Sequence, residues 1–364
     1  MSASVFLSLS KIDAARVLPS KESPLKKFHA LSVELSIANR SRSLSDLEIF
    51  QYTTQFQALF EHSSSKGLIK IASVLIDHNI YCSGNLFLQI LQKLRDENPE
   101  PLRPYFDIQS KKAIMLSAGL HSVIEIYSGS YRWEESIEFV DIDSLAEKFT
   151  HVLLGDTPLN MGWIYTDPYT LHMTPVYIRR ERAGNLKLLV TDSKGKGGTR
   201  ALLDKLEALV PEDSKVCIYA NSSLRQRDGY ACSAFSLLDL RNIFEREQNR
   251  GNIFVYIEQQ KLQPYRKHVM WFEILPFEMM KTTQSIRQLE RYKQTSPIPE
   301  YTPVIRRQSQ EGLAFEFHQD KTAVSQSLES NIRFGPDSYK LNKYIERKWM
   351  KMVFLILVKA YGLI

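Results

Sequence analysis

The apolar residues change period partway along the chain, and that change constrains the fold more than any other feature. The first 44 residues are rich in Ser and basic residues and show no lasting period, and from there to Arg95 the apolar residues recur at helical spacing. Ser45–His62 carries Leu47, Phe50, Phe56, Leu59 and Phe60, with Glu48 three residues after Ser45 in capping-box position. Gly67–Ile80 and Asn85–Arg95 repeat the pattern, and Pro99, Pro101 and Pro104 then break it. In the centre, short runs replace the long ones: Val176–Arg180, Leu186–Thr191, Val216–Ala220 and Ile253–Ile257 read as strands, with a hairpin-type turn at Arg182–Asn185. Between them lie a helix capped by Thr199, with Leu202, Leu203, Leu206, Leu209 and Val210 on one face, and a second over Ser233–Gln248. Strand–strand–helix–strand–helix–strand predicts an α/β (α+β) core with helices packed on a sheet. Phe139–Phe149 reads as a short acidic helix. Phe277–Lys293 and Ser338–Tyr361 read as helices after the core, joined by a long polar loop over 295–337 that contains Pro297, Pro299 and Pro303. The expected organisation is a mobile arm over 1–44, a helical region over 45–149, the α/β core over 150–260 and a basic helical region over 261–364.

Charge separates that last region from the rest. The whole chain carries a formal charge of +6, while Lys261–Ile364 holds 17 basic and 10 acidic residues. The remainder is therefore near neutral. Such a segment suits a polyanion (nucleic acid, lipid head groups or a small polyphosphate), or else simply solvates its helix faces. The chain has 364 residues and three cysteines, Cys82, Cys217 and Cys232, with no Cys-x-x-Cys spacing. That usage suggests a reducing compartment and gives no metal motif. The densest apolar run, Met352–Val358, is too short to span a bilayer and reads as the buried face of a last helix, with a membrane contact as the lesser reading.

Three residues combine reactive chemistry with telling positions. His172 lies just before the first core strand, Asp192 ends the second, and Cys232 sits where loop turns into helix. A cysteine at a helix start gains from the dipole and the free N–H groups; a histidine beside it takes its proton, and an aspartate orients the imidazole. Gln226, six residues before Cys232 across Asp228-Gly229, can return towards the thiol and donate to an oxyanion. Lys194-Gly-Lys196-Gly-Gly198, between strand and helix, is placed to hold an anion but lacks the closing Gly-Lys-Ser/Thr of a Walker motif. Cys217 alternates with strand residues and reads as core.

Two stretches carry a resemblance. Gln226-Arg227-Asp-Gly-Tyr-Ala-Cys232-Ser-Ala-Phe235-Ser236-Leu237, following His172 and Asp192, resembles the nucleophile region of the YopJ family of bacterial effector acetyltransferases. Leu275-Pro-Phe-Glu-Met-Met-Lys281-Thr-Thr-Gln284-Ser285, followed by Leu289 and Tyr292, resembles that family's Leu-Pro and Lys-His-x-Gln-Ser segment, which related ubiquitin-like proteases lack. The chain departs from the pattern at Asp192, where the family usually has Glu. It also departs at Ala231, usually acidic, at Ser233, often Gly, and at Thr282, usually His.

The resemblance implies a papain-like, ubiquitin-like-protease core with a helical regulatory layer from both termini. It implies acetyl transfer from acetyl-coenzyme A through Cys232 to Ser, Thr or Lys of host signalling or defence proteins, and no nucleic-acid partner. Arg227, Lys194 and Lys196 would meet the phosphates of coenzyme A. Lys281, Arg287 and Arg291 would bind inositol hexakisphosphate as an activator, and the protein would be secreted by a bacterium into host cytoplasm. A ubiquitin-like-modifier cysteine protease with the same triad, and a catalytically degenerate host-protein binder, are the alternatives.

Overall fold

The computed structural model describes residues 24–41, 46–60, 63–78, 83–109, 112–127, 136–181, 184–249, 251–295, 302–307, 313–318, 332–334 and 340–362. Cys82, Ser45 and the Arg182–Ala183 half of the expected turn lie outside them. The chain divides into two compact units, Met1–Ile80 and Tyr81–Ile364.

The first unit holds helices Pro24–Ser41, Asp46–Gln57 and Ser65–Asp77. The first of these falls inside the segment expected to be an arm. Its apolar residues Leu31 and Leu35 are buried, and Phe28 meets Phe56 edge-on at 6.2 Å. Sparse apolar residues among many polar ones hid that face in the sequence. Ser64 caps the third helix by accepting from the Gly67 N–H.

In the second unit, helix Ser83–Glu97 precedes a hairpin of β1 (Phe106–Ile108) and β2 (Ala113–Met115), then helix Ser117–Tyr127. The main sheet has seven strands: β3 (Ile137–Val140), β4 (Leu159–Thr166), β5 (Met173–Arg180), β6 (Leu186–Val190), β7 (Val216–Asn221), β8 (Gln263–Pro264) and β9 (Val269–Phe272). Their spatial order is β3-β4-β5-β6-β7-β9-β8. β4, β5 and β6 are antiparallel neighbours, while β6, β7 and β9 run parallel.

Side chains alternate across the strands, so each face needs a cover. Val176, Ile178, Leu188 and Ile218 face helices Ile142–Leu154 and Lys196–Leu209 through Phe149, Leu202 and Leu206. On the other face Tyr177 packs edge-on against Phe244 of helix Cys232–Asn249 and stacks on Phe254. Gly162 in β4 makes room for that helix, since a Cβ there would lie 2.9 Å from the Leu240 side chain. The α/β core with helices on both faces is the mixed architecture expected.

Several local expectations change. Ile253–Glu258 is a helix, not a strand: Asn252 caps it by accepting from Phe254 N–H at 2.9 Å. Ile253, Phe254, Tyr256 and Ile257 are buried while Val255 is exposed, a helical face that a continuous apolar run does not reveal. The strand beyond β7 is instead β9. Ile137–Val140 is a strand and its helix begins at Ile142, behind a capping box at Asp141 and Ser144. The next helix begins at Lys196 rather than Thr199, with Gly195 at its cap position. The long stretch after Pro276 forms two helices, Phe277–Met280 and Ile286–Thr295, because the backbone between them is claimed from outside. Asn342 Nδ2 donates to Lys281 O at 2.8 Å and Thr283 O at 2.7 Å, and Gln284 N–H donates to Arg225 O at 2.9 Å. The segment expected to be loop contains hairpin β10–β11 (Thr302–Arg307, Leu313–His318) and β12 (Ile332–Phe334), which pairs with β13 (Lys340–Asn342).

The last helix, Lys343–Ala360, begins where Asn342 Oδ1 accepts from Tyr344 and Ile345 N–H groups. Met352, Val353, Ile356 and Leu357 are buried, as expected for its apolar face. Lys359 Nζ ties it to Ser122 at 3.0 Å and Glu125 at 2.9 Å on helix Ser117–Tyr127. No helix among the described residues is long and apolar enough to cross a membrane.

Candidate active site

The β5–β6 hairpin explains why residues twenty apart meet. Its register pairs Val176 with Val190. Continuing it by one like-facing pair sets Thr174 opposite Asp192, and His172 follows Thr174 on the same face. His172 Nε2 lies 3.0 Å from Asp192 Oδ1 and 2.9 Å from Oδ2. Thr174 Oγ1 donates to Oδ2 at 2.6 Å, and the Lys194 N–H donates to Oδ1 at 2.6 Å. The carboxylate is fully buried and held from three sides. Gly198 makes room for it: a Cβ there would lie 2.6 Å from Oδ1.

A tight turn fixes the histidine. Asp167 Oδ1 accepts from Tyr169 N–H at 3.0 Å, Thr170 N–H at 2.8 Å and Thr170 hydroxyl at 2.9 Å. Asp167 N–H donates to His172 O at 2.9 Å, and Leu171 between them adopts φ +55°. A left-handed leucine costs roughly 1–2 kcal/mol, and the surrounding hydrogen bonds hold it there.

Cys232 is the first residue of its helix and only 4% exposed. One turn on, Ser236 Oγ donates to Met173 O at 2.9 Å, so the helix face that carries both residues rests against β5 beside the imidazole. His172 Nδ1, the nitrogen turned away from Asp192, is buried and forms no well-aligned hydrogen bond, yet the Cys232 sulfur acts on the ring at close range. Burial alone would lower the imidazole pKa. The Asp192 carboxylate, and after it the Cys232 sulfur, offset that and hold it up to about 9. His172, Asp192 and Cys232 are thus brought together.

Gln226 arrives at the same place but is engaged. Its Oε1 accepts from Ser193 Oγ at 2.6 Å, and its Nε2 donates to Asp228 O at 3.0 Å and Oδ1 at 2.9 Å. In this arrangement the amide braces the turn before Cys232. Arg225 and Gln226 both donate N–H to Ser193 O at 2.8 Å. That crossing sets Lys194 and Arg227, both exposed, on one rim of the site. Lys196 turns elsewhere, with Nζ 5.3 Å from the Trp271 ring centre.

Several site residues were not singled out in the sequence. Arg225 is fully buried and pairs with buried Asp239; its Nη2 also donates to Thr191 O at 2.8 Å and its Nη1 to Thr282 Oγ1 at 3.2 Å. Thr282, where the family's histidine would stand, is thereby absorbed into the support of this guanidinium. Only the Arg225 position, one residue before the Gln226 motif, hinted at it. A second group lies on the last helix. Burial lowers the Lys348 pKa, and the charges of Arg241, Lys351 and Arg347 add to that, bringing it to about 8. Of the cations expected to bind an activator, Arg291 pairs with Glu273, Lys281 lies 4.9 Å over the Phe277 ring, and Arg287 is exposed.

The sequence pattern of the YopJ Serine/Threonine acetyltransferase family matches residues 134–353, more than half of the chain and all of this site. Among solved structures, one of AvrA delL154 with IP6 and CoA is 14% identical over 81% of this chain and 99% of that one, with a TM-score of 0.47. HopZ1a in complex with IP6 and CoA is 12% identical over 66% of this chain and 83% of that one, also at 0.47. HopZ1a with IP6 is 12% identical over 87% and 99%, at 0.46. No curated protein matches the chain.

Proposed function

The chain belongs to the YopJ family of serine/threonine acetyltransferases, and from that premise we propose that it moves acetyl from acetyl-coenzyme A to host-protein side chains through a thioester on Cys232. The observation that carries this reading is His172 held by Asp192 through Nε2, its other nitrogen buried without a hydrogen bond, beside a helix-start cysteine close enough to raise the imidazole pKa.

The chemistry follows from that placement. With its pKa held near 9, His172 takes the proton of the Cys232 thiol and keeps it at neutral pH. The Cys232 thiolate, the reactive form of a cysteine, attacks the acetyl carbonyl and forms a C–S bond. As the tetrahedral adduct collapses, the bond to coenzyme A breaks and His172 gives its proton to the departing thiolate. The imidazole is then neutral. It takes the proton of an acceptor hydroxyl or amine as that atom attacks the thioester, and the Cys232 thiolate leaves. Thiolate and imidazolium are restored. Backbone N–H groups at the start of the Cys232 helix are the donors nearest the developing oxyanion. Gln226, bound to Ser193 and Asp228, braces the turn that presents them.

Lys194 and Arg227 on the shared rim suit the phosphates of coenzyme A. The activator we assign is inositol hexakisphosphate. Half-buried Lys348 is disfavoured as a cation by burial and by Arg241, Lys351 and Arg347 around it, with Glu245, paired to Arg241, offsetting part of that, and a polyphosphate would relieve the remainder. Family membership further supports delivery from a bacterium into host cytoplasm and host signalling or defence proteins as acceptors.

The test is incubation with isotope-labelled acetyl-coenzyme A and candidate acceptor proteins, with and without inositol hexakisphosphate, beside a ubiquitin-like suicide probe. Label on protein Ser, Thr or Lys that rises with the polyphosphate supports the reading. Reaction with the probe and no label assigns a protease; neither assigns a binder.

A further inference from the structure

The loop before Cys232 is held on one side by the residues that launch the last helix. Asp228 is its centre. Oδ1 accepts from Tyr230 N–H at 3.0 Å, Ala231 N–H at 2.8 Å and Gln226 Nε2 at 2.9 Å, while Oδ2 accepts from Gln284 Nε2. Gln284 closes the ring by accepting at Oε1 from Arg227 N–H at 2.5 Å and Asp228 N–H at 3.1 Å. Gln284 sits in the non-helical segment between two helices. Asn342 holds that segment by donating to the carbonyls of Lys281 at 2.8 Å and Thr283 at 2.7 Å. The same side chain, 1% exposed, caps the last helix through Oδ1. A second contact runs in parallel: Tyr230 of the loop lies 4.7 Å, centre to centre, from Trp349 of that helix.

We propose that Asn342 is a positioning residue for the nucleophile, acting through the 281–284 segment and Gln284 on the Asp228 turn that sets the start of the Cys232 helix. The proposal rests on the reading of Cys232 as nucleophile and adds to it a specific connection. Each link is a buried or half-buried hydrogen bond, and carbonyls such as those of Lys281 and Thr283 cannot turn to water without moving. A shift of the last helix by a fraction of an ångström is therefore felt at Asp228, because the intervening groups have no slack. Displacement of a reacting group by about 1 Å can cost on the order of a hundredfold in rate.

Site-specific alkylation by iodoacetamide tests this without needing acetyl transfer. Rates at Cys232 and Cys217 are read by peptide mass spectrometry from pH 5 to 9 on the full chain. Asn342→Ser keeps a capping oxygen but cannot reach both carbonyls. It should slow Cys232 about five-fold or more and change its pH profile, while leaving Cys217 as in wild type. Gln284→Glu sets a carboxylate against Asp228 and should do the same if Asn342→Ser folds poorly. Asn252→Ala, which removes a cap of similar kind from helix Ile253–Glu258, should leave Cys232 unchanged. Wild-type Cys232 rates in both Asn342→Ser and Gln284→Glu, or equal slowing in Asn252→Ala, would overturn the connection. A wild-type Cys232 no more reactive than Cys217 would instead sink the nucleophile reading beneath it.

Discussion

Two buried ion pairs lie side by side under the β5–β6 hairpin and do opposite work. Arg225 grips Asp239 through two nitrogens, and its remaining reach goes to Thr191 O and Thr282. His172 and Asp192 are equally hidden, but the imidazole keeps Nδ1 free of any hydrogen bond, with Cys232 near the ring. A guanidinium does not give up its proton in a protein, whereas an imidazole does so within the working range of pH. Burial makes the first pair an anchor and, in the mechanism proposed above, the second a proton exchanger. What separates them is the choice of cation and the one nitrogen left uncommitted.

Removing the exchanger should have the largest effect. Cys232→Ala and His172→Ala should each lower acetyl transfer by at least about a thousandfold, with melting temperatures close to wild type; Cys217→Ala should remain active. Breaking the anchor should act on stability. Arg225→Met leaves Asp239 buried without its partner and should cost about 3–5 kcal/mol in urea unfolding. Replacing both, Arg225→Met with Asp239→Leu, should recover much of that, because no uncompensated charge remains. If the single change were harmless, the anchor role would fall.

A third change tests how tightly the exchanger is held. Gly198→Ala places a Cβ where Asp192 Oδ1 lies 2.6 Å away, so helix and carboxylate must part. Activity should drop roughly ten- to a hundredfold while the protein stays folded. The smallest effect is the pH dependence of stability. His172 is raised in the fold from about 6.5 to about 9. Its pairing with Asp192 thus stabilises fully below about pH 6.5 and is lost as pH rises through 9. The stability gap between wild type and Asp192→Asn should be widest near pH 6 and narrow towards pH 9.5, measured by thermal melts in matched buffers. A gap that widens with pH would reverse the assignment.

The two pairs were not equally legible in the sequence. His172, Asp192 and Cys232 occupy a strand start, a strand end and a helix start, positions that local pattern can find, and the motif around Cys232 reinforced them. Arg225–Asp239 depends on a tertiary approach between a loop and the middle of a helix, which no local spacing encodes. The same holds for the fold. Strands β5, β6 and β7 are short runs buried on both faces and were legible as such, but Ile253–Glu258 is an apolar run of the same kind that suits strand or helix, and only its cap and the exposed Val255 decide. The break at 281–285 was invisible because it is made by Asn342, some sixty residues away. Lys194 and Arg227 could be listed as basic loop residues, yet only the backbone crossing at Ser193 puts them on one rim.

In the proposed mechanism Cys232 carries the acetyl group while His172 moves protons for it. The most direct measurement is acid-quenched peptide mapping after the wild-type protein meets acetyl-coenzyme A with polyphosphate and no acceptor. One acetyl group is expected on the Cys232 peptide, none on Cys217, and none at Cys232 in His172→Ala. Transfer to acceptor that persists in Cys232→Ala, with no acetyl ever found on Cys232 in wild type, would contradict it.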